Sequence, residues 1–295
     1  MLTPPKRATP LQRGLAAAVL IGLILTGLAL SVRWSQTRRE AAPPVPAAEA
    51  PPPSAAPPAA PLPPPALDRA GLIAAARAAA SAWAAGQPAP AAEAELIGRR
   101  FDLRIPFGCR GPASGPDAPA LRFEQKAPGR PVRISARPQE WAGTPLAQAL
   151  APAGGFEAVE GFWIPRPWTD SEACPPPAPP APEAGTAAGE AAAAPASPQT
   201  LGLAVFLTPD SPRTARRGGR PYEQVVKADE AGAPPFPQGL RLALSGRIAG
   251  LDDRRAFVCA SPSPDRRPVC LAAVEFDRVA FEDPATGKTL AEWRD

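Results

Sequence analysis

The sequence contains no histidine among its 295 residues. Imidazole is the base of Ser–His–Asp and Cys–His systems and the commonest metal ligand, so its absence excludes those nucleophiles and imidazole metal sites. No C-x-x-C spacing and no glycine-rich phosphate loop is present either. The adjacent acidic pairs Asp252-Asp253 and Glu282-Asp283 are more typical of solvated turns. We therefore expect no enzyme, no metal and no cofactor.

A basic surface is also missing from most of the chain, despite its net charge of +4. Residues 1–40 hold six basic and one acidic side chain, whereas the remaining 255 residues hold 26 basic and 27 acidic ones. A nucleic-acid-binding domain would carry a basic face of its own. We therefore expect no nucleic-acid partner, and interpret the N-terminal charges as membrane-flanking residues.

One apolar run dominates the N-terminal part: residues 14–32, GLAAAVLIGLILTGLALSV, have no charge and no proline. A helix of 19 residues is about 28 Å long, close to the ~30 Å hydrocarbon core of a bilayer. The pattern predicts one transmembrane helix after a tail of residues 1–13. With no ionisable side chain inside it, the run has no group that could relay protons.

The orientation of this span cannot be derived from flanking charge, since three basic residues stand on each side. They are Lys6, Arg7, Arg13, Arg33, Arg38 and Arg39. The basic leader and the downstream position of every cysteine favour export of the chain beyond the span. We predict a single-pass signal-anchor in a bacterial inner membrane, with the C-terminal domain in the periplasm. A cleaved signal peptide is the alternative, because Ala29 and Ser31 fit a cleavage site.

Two stretches are too rich in proline and alanine to form a core. Residues 33–66 form a linker, of which 41–66 contain 12 prolines, and residues 175–199 contain eight. Such segments cannot bury enough apolar area to offset the entropy of ordering, so both are predicted to be disordered. A structureless stretch of 25 residues is uncommon inside a domain. One β-rich domain with an insertion is favoured, and two modules are the alternative.

The pattern between and after these stretches predicts a mainly-β fold, a small sandwich or barrel with a short Ala-rich helix. The helix is expected at 67–85, from an Asp68 cap to Gly86, with an apolar face and with Arg69 and Arg77 off that face. That face comprises Leu72, Ile73, Ala76, Ala79, Ala80 and Trp83. In the first half, 67–174, strands are expected at 100–105 (ending at Pro106), 132–136 and 156–164, with a helical turn at 145–150. In the second half, 200–295, they are expected at 201–207, 240–251, 256–260, 269–276, 279–281 and near 293.

The four cysteines allow three pairings, and two disulfides are favoured: Cys109 with Cys174, and Cys259 with Cys270. The second pair flanks a turn-rich loop between two predicted strands, and the first would join the two edges of the first half. Closing the short loop stabilises the fold by about 3 kcal/mol in the chain-entropy treatment. Such bridges require an oxidising compartment.

Two segments carry candidate contact residues for a ligand or partner. The sequence GFWIPRPW contributes Trp163, Arg166 and Trp168, whose rings could stack on sugars or a peptide. A second segment contributes clustered arginines, suited to phosphate or carboxylate groups. These are Arg213, Arg216, Arg217 and Arg220. The plainer interpretation is that the aromatic residues close an edge strand and the arginines lie in a solvated loop.

In layout the chain resembles bacterial envelope adaptors, such as TonB-like and secretion-system inner-membrane proteins: a short tail, one span, a Pro-rich spacer and a terminal domain. The resemblance implies a non-catalytic protein that presents its periplasmic domain to an envelope protein partner. The alternative is a module that binds cell-wall or outer-membrane glycan.

Overall fold

The computed structural model describes residues 64–148, 156–176, 199–212, 218–227, 235–251, 255–261 and 263–294. Its helices are α1 (Arg69–Ala84), α2 (Ala91–Ala94) and α3 (Pro145–Gln148). Its strands are β1 (Arg100–Phe107), β2 (Leu121–Gln125), β3 (Val132–Ala136), β4 (Gln139–Glu140), β5 (Ala158–Trp163), β6 (Leu201–Leu207), β7 (Tyr222–Val226), β8 (Leu240–Ile248), β9 (Phe257–Ala260), β10 (Val269–Asp283) and β11 (Lys288–Arg294). The predicted span at 14–32, linker residues 33–63 and insertion residues 177–198 lie outside the described residues.

Mainly-β architecture is confirmed, with two sheets and few short helices. Within the described ranges, no helix combines the length and apolar character needed to cross a bilayer.

Helix α1 has the ends that its sequence predicts. The Asp68 carboxylate accepts a hydrogen bond from Gly71 N–H at 2.8 Å, and Gly86 adopts φ +64°, a conformation that glycine reaches without steric cost. Four of the six residues of the predicted apolar face are buried. Leu72 and Ile73 are buried, but Trp83 is 43% exposed, and Arg69, which we expected off this face, is buried.

The larger sheet has eight strands, ordered β1-β8-β10-β6-β5-β4, with β9 and β11 also paired to β10. β10 is the central strand, and it includes residues 269–276 and 279–281, which the sequence suggested were two separate strands. Its first part pairs with β9 and, in parallel, with β6; its second part pairs with β8 and β11. A register shift between Phe276 and Arg278 lies between these parts. The two strands predicted at 269–276 and 279–281 are thus one strand with an irregularity between them.

The smaller sheet is antiparallel, with the order β2-β3-β7. β3 has the predicted bounds, whereas β2 and β7 were not predicted: alternation in β2 covers only residues 121–124, and β7 ends in the adjacent pair Val225-Val226. β1 continues to Phe107 although we expected it to end at Pro106. Proline is compatible with this position because β1 is the edge strand of its sheet.

Both halves of the chain contribute to one core. Edge-to-face and tilted ring contacts of 5.1–6.2 Å connect residues from both halves. In spatial order they are Phe101, Phe276, Phe162, Tyr222, Trp293, Phe281 and Phe107. β1 of the first half also pairs along its whole length with β8 of the second. The two halves therefore share a sheet and a hydrophobic core.

Candidate binding cleft

A cleft lined by two tryptophans lies on the face of the larger sheet opposite α1. Trp141 follows β4, and its backbone N–H donates to the Val159 carbonyl at 2.8 Å. Trp163 is the last residue of β5. Their rings meet edge to face with centroids 5.0 Å apart. Gly202 of β6 lies beneath them. A Cβ there would stand 3.2 Å from Trp163 and 3.3 Å from Trp141, so glycine lets both indoles lie against the sheet.

The cleft consists of two adjoining cavities that share Trp163 and Gln199. The smaller, about 300 Å³, has apolar walls and only Thr144, Gln199 and Ser261 as polar side chains. Its apolar lining residues are Trp141, Pro145, Leu146, Trp163, Ala260 and Val269. The larger, about 630 Å³, extends past the end of β1 to the start of β2. We call the two cavities together the tryptophan cleft.

The wall opposite the indoles is the β9–β10 hairpin. Ala260 and Val269 are cross-strand partners that face the cleft, and the next pair, Cys259 and Cys270, forms a disulfide in the core on the other face. The Ser261 hydroxyl donates to the Arg266 carbonyl at 2.8 Å, within the turn of this hairpin. The disulfide and the turn thus fix the position of this wall.

The second disulfide joins Cys109, just after β1, to Cys174, with Cα atoms 5.4 Å apart. Cys109 lines the larger cavity. Gly239 approaches so closely that a Cβ on it would stand 2.6 Å from the Cys174 sulfur. Both bridges are the pairs that the sequence favours. Such bonds persist in oxidising compartments, so they point to an extracytoplasmic location.

Trp168 lies in a different place from the cleft, in the loop that follows β5. Arg69 of α1 fixes this loop: its Nη2 donates to the Pro165 and Arg166 carbonyls, and its Nε to the Thr169 carbonyl at 2.9 Å. Trp168 itself is 57% exposed. Arg166 adopts φ +50° and donates to the Ala173 carbonyl. The loop therefore presents an indole ring on an ordered backbone.

Burial lowers the pKa of Arg69, and the neighbouring charge of Arg166 lowers it further. Its Nη1 atom is buried without a hydrogen-bond partner among the described residues. Three backbone carbonyls nevertheless surround the rest of the guanidinium. Arg69 thus holds the Trp168 loop on α1.

The arginine segment is only partly described: Arg213, Arg216 and Arg217 lie outside the described residues, and Arg220 lies inside. The turn before Arg220 is held by a buried carboxylate. Glu160 of β5 accepts from Gly218 N–H at 2.8 Å and from Gly219 N–H at 3.1 Å. Glu160 and Trp163 project from opposite faces of β5 because side chains alternate along a strand. The described part of this segment therefore does not share a site with the cleft.

The sequence interpretation missed most of the cleft. Trp141, Leu146 and Gln199 were not candidates, because they come from two segments, 141–146 and the residues just before β6, that only the folded sheet brings to Trp163. Glu160 and Arg69 were missed because one buried charged side chain gives no sequence pattern.

Comparisons of the chain with protein-family models, with curated proteins and with solved structures find no match.

Proposed function

We propose that this chain is a non-catalytic, single-pass inner-membrane protein that presents its β-rich domain in the periplasm as an adaptor for a protein partner. In this proposal residues 14–32 form the span, residues 1–13 stay in the cytoplasm, and the partner contributes an apolar segment to the tryptophan cleft. The observation that carries the proposal is the tryptophan cleft. It lies in a domain with two disulfides, which are stable in an oxidising compartment.

The chemistry of the cleft walls supports binding rather than catalysis. Among the described residues that line the two cavities, the titratable side chains are Arg110 and Arg122. Neither is suited to act as a general base, since a guanidinium group offers N–H donors and no acceptor. Apolar walls with a few orienting polar groups are typical of pockets that accept an apolar group.

A protein partner suits these walls better than a glycan does. Sugars are bound by exposed flat rings surrounded by many hydrogen-bonding groups, whereas Trp163 is half-buried and its ring contacts the edge of Trp141. A leucine, proline or aromatic side chain would bury apolar area against Trp163 at about 25 cal/mol per Å², while Trp141, only 3% exposed, supports the Trp163 ring from behind.

Topology is tested by fusing alkaline phosphatase and a cytosolic reporter, separately, after Asp295 in the full chain. The proposal expects active phosphatase, an inactive cytosolic reporter and a protein that stays in the membrane after carbonate extraction. An active cytosolic reporter would contradict the orientation. Release by carbonate would contradict the anchor and favour cleavage after Ser31.

The glycan alternative is favoured by one observation, the exposed Trp168 on its fixed loop. Sedimentation of the detergent-solubilised chain with purified peptidoglycan tests it. The adaptor proposal expects no co-sedimentation above that of a Trp168→Ala variant. Co-sedimentation that Trp168→Ala abolishes would replace the adaptor proposal with the glycan-binding one.

A further inference from the structure

The edge strands of the two sheets differ in whether their outward-facing backbone N–H and C=O groups already have hydrogen-bond partners. Along the outer edge of β1, Leu67 N–H donates to the Arg100 carbonyl at 2.7 Å and Asp102 N–H donates to the Leu67 carbonyl at 2.9 Å. Farther on, Arg104 N–H donates to the Glu172 carboxylate at 2.8 Å, and Pro106 has no N–H. This edge is therefore closed to another strand.

The outer edge of β2 is also occupied in part. Ala113 N–H donates to the Phe123 carbonyl at 2.9 Å, in the middle of this strand. β7, at the other edge of the same small sheet, pairs with β3 and with no second strand in the described part of the chain. The outward-facing Val225 carbonyl of β7 accepts a hydrogen bond from the side chain of the neighbouring Gln224 at 3.1 Å, which a second strand would displace. An exposed side-chain contact moves more easily than the backbone contact on β2, so β7 is the edge of this sheet that is better suited to pairing.

β7 carries an exposed apolar side chain with charges of opposite sign around it. Glu223, Val225 and Lys227 alternate along its exposed face, and Tyr222 and Val226 pack on the core face. Val225 is 55% exposed and is one of three exposed large hydrophobic residues in the described ranges. Its cross-strand neighbour on β3 is the exposed Arg133, whose guanidinium lies 3.8 Å from the Glu223 carboxylate of the same copy, in an exposed pair that a neighbouring strand can rearrange.

The exposed side chains of β7 and Lys227 form a pattern that is complementary to a second copy of itself in an antiparallel pair. When two copies of β7 run antiparallel about a two-fold axis at Val225, the two valines lie opposite each other. Glu223 of each copy then lies opposite Lys227 of the other, giving two cross-strand pairs of opposite charge. A register centred on Gln224 would instead place Glu223 opposite Val225. Opposite charges and apolar pairs directly across a sheet stabilise it, and a two-fold interface uses the same patch twice.

We propose that β7 pairs with β7 of a second copy in the Val225-centred register, which joins two three-stranded sheets into one six-stranded sheet. Five residues a side bury less area than a stable soluble dimer requires, so the contact is weak on its own. If residues 14–32 anchor both copies, confinement to one membrane raises their effective concentration.

The test is disulfide trapping of the full chain in native membranes. The described cysteines all lie in disulfides, so Val225→Cys adds a single thiol at the axis. The matched control is Trp83→Cys, which is exposed on α1. Under mild oxidation we expect a covalent dimer from Val225→Cys and none above background from Trp83→Cys. Equal yields from the two variants, or an adduct containing only another protein, would overturn the proposal.

Charge reversal in the Val225→Cys background tests the register. Glu223→Lys or Lys227→Glu alone places like charges opposite each other twice, and we expect the dimer yield to fall about tenfold. The double variant Glu223→Lys/Lys227→Glu restores both pairs and should recover the yield. A yield that is unaffected by the single changes, or not recovered by the double change, would overturn the Val225-centred pairing. All three positions are exposed, so melting temperatures should stay within a few degrees of each other.

Discussion

The two faces of the larger sheet are covered to different extents. On one face, α1 and the small sheet bury Leu72, Phe123 and Phe281 completely. On the other face a short segment around α3 covers the strands, and the cleft beside Trp163 stays open. Complete burial contributes stability, whereas an incompletely covered apolar surface leaves room for a ligand. We call the face covered by α1 and the small sheet the structural face, and the face that carries the tryptophan cleft the binding face.

The largest effect is expected from a cavity on the structural face. Phe281 is fully buried and its ring contacts Phe107 and Trp293. Phe281→Ala should lower the free energy of unfolding by about 3–5 kcal/mol, because it removes transfer free energy and leaves a cavity. Urea unfolding followed by fluorescence measures this change, with the exposed Trp83→Ala as control. A loss below about 1 kcal/mol would mean that the ring contacts of Phe281 do not stabilise the core.

The two disulfides should contribute unequally. Cys109–Cys174 spans 65 residues and Cys259–Cys270 spans 11. In the chain-entropy treatment, these loops correspond to about 4 and about 3 kcal/mol. Replacing each pair by serine and comparing midpoints in urea checks the order. A larger loss from the Cys259–Cys270 pair would show that the hairpin wall, rather than loop closure, governs stability.

A smaller loss is expected from Arg69, which links the structural face to the Trp168 loop. Arg69→Met keeps the volume but leaves the Pro165, Arg166 and Thr169 carbonyls without their donor, at a cost of about 1–3 kcal/mol. Arg77→Met is the matched control, because Arg77 is exposed and reaches only the Pro167 carbonyl. Thermal unfolding measures both variants, and equal effects would contradict the role assigned to Arg69.

Local patterns predicted elements better than their assembly. The cap at Asp68, the strand at 132–136 and that at 201–207 follow from side-chain chemistry and alternation, and all are present. β2 and β7 escaped prediction because the alternation in β2 covers only four residues and β7 ends in two adjacent valines. The tryptophan cleft depends on the long-range pairing of β9, β10, β6 and β5, about which a local pattern carries no information.

The smallest effect concerns pH and lies near the end of β11. Hydrogen bonds from Arg278 and Arg294 lower the pKa of Glu292. A carboxylate with a lowered pKa stabilises the folded state above its unfolded pKa, and that contribution is lost as pH falls through the folded value. Glu292→Gln should therefore be slightly less stable than the natural chain at pH 7, and the difference should vanish in acid. Thermal melts between pH 7 and pH 3 measure the difference, and one that is constant across this range would contradict the assignment.

The most direct test of the two-face account is photo-crosslinking in the cells that produce the protein. p-Benzoylphenylalanine is introduced at Trp163 on the binding face or at Trp83 on α1. We expect a discrete heavier adduct from position 163 that protease digests and glycan hydrolases leave intact, and no such adduct from position 83. Equal adducts from both positions, none from position 163, or an adduct whose extra mass glycan hydrolases remove would contradict the account.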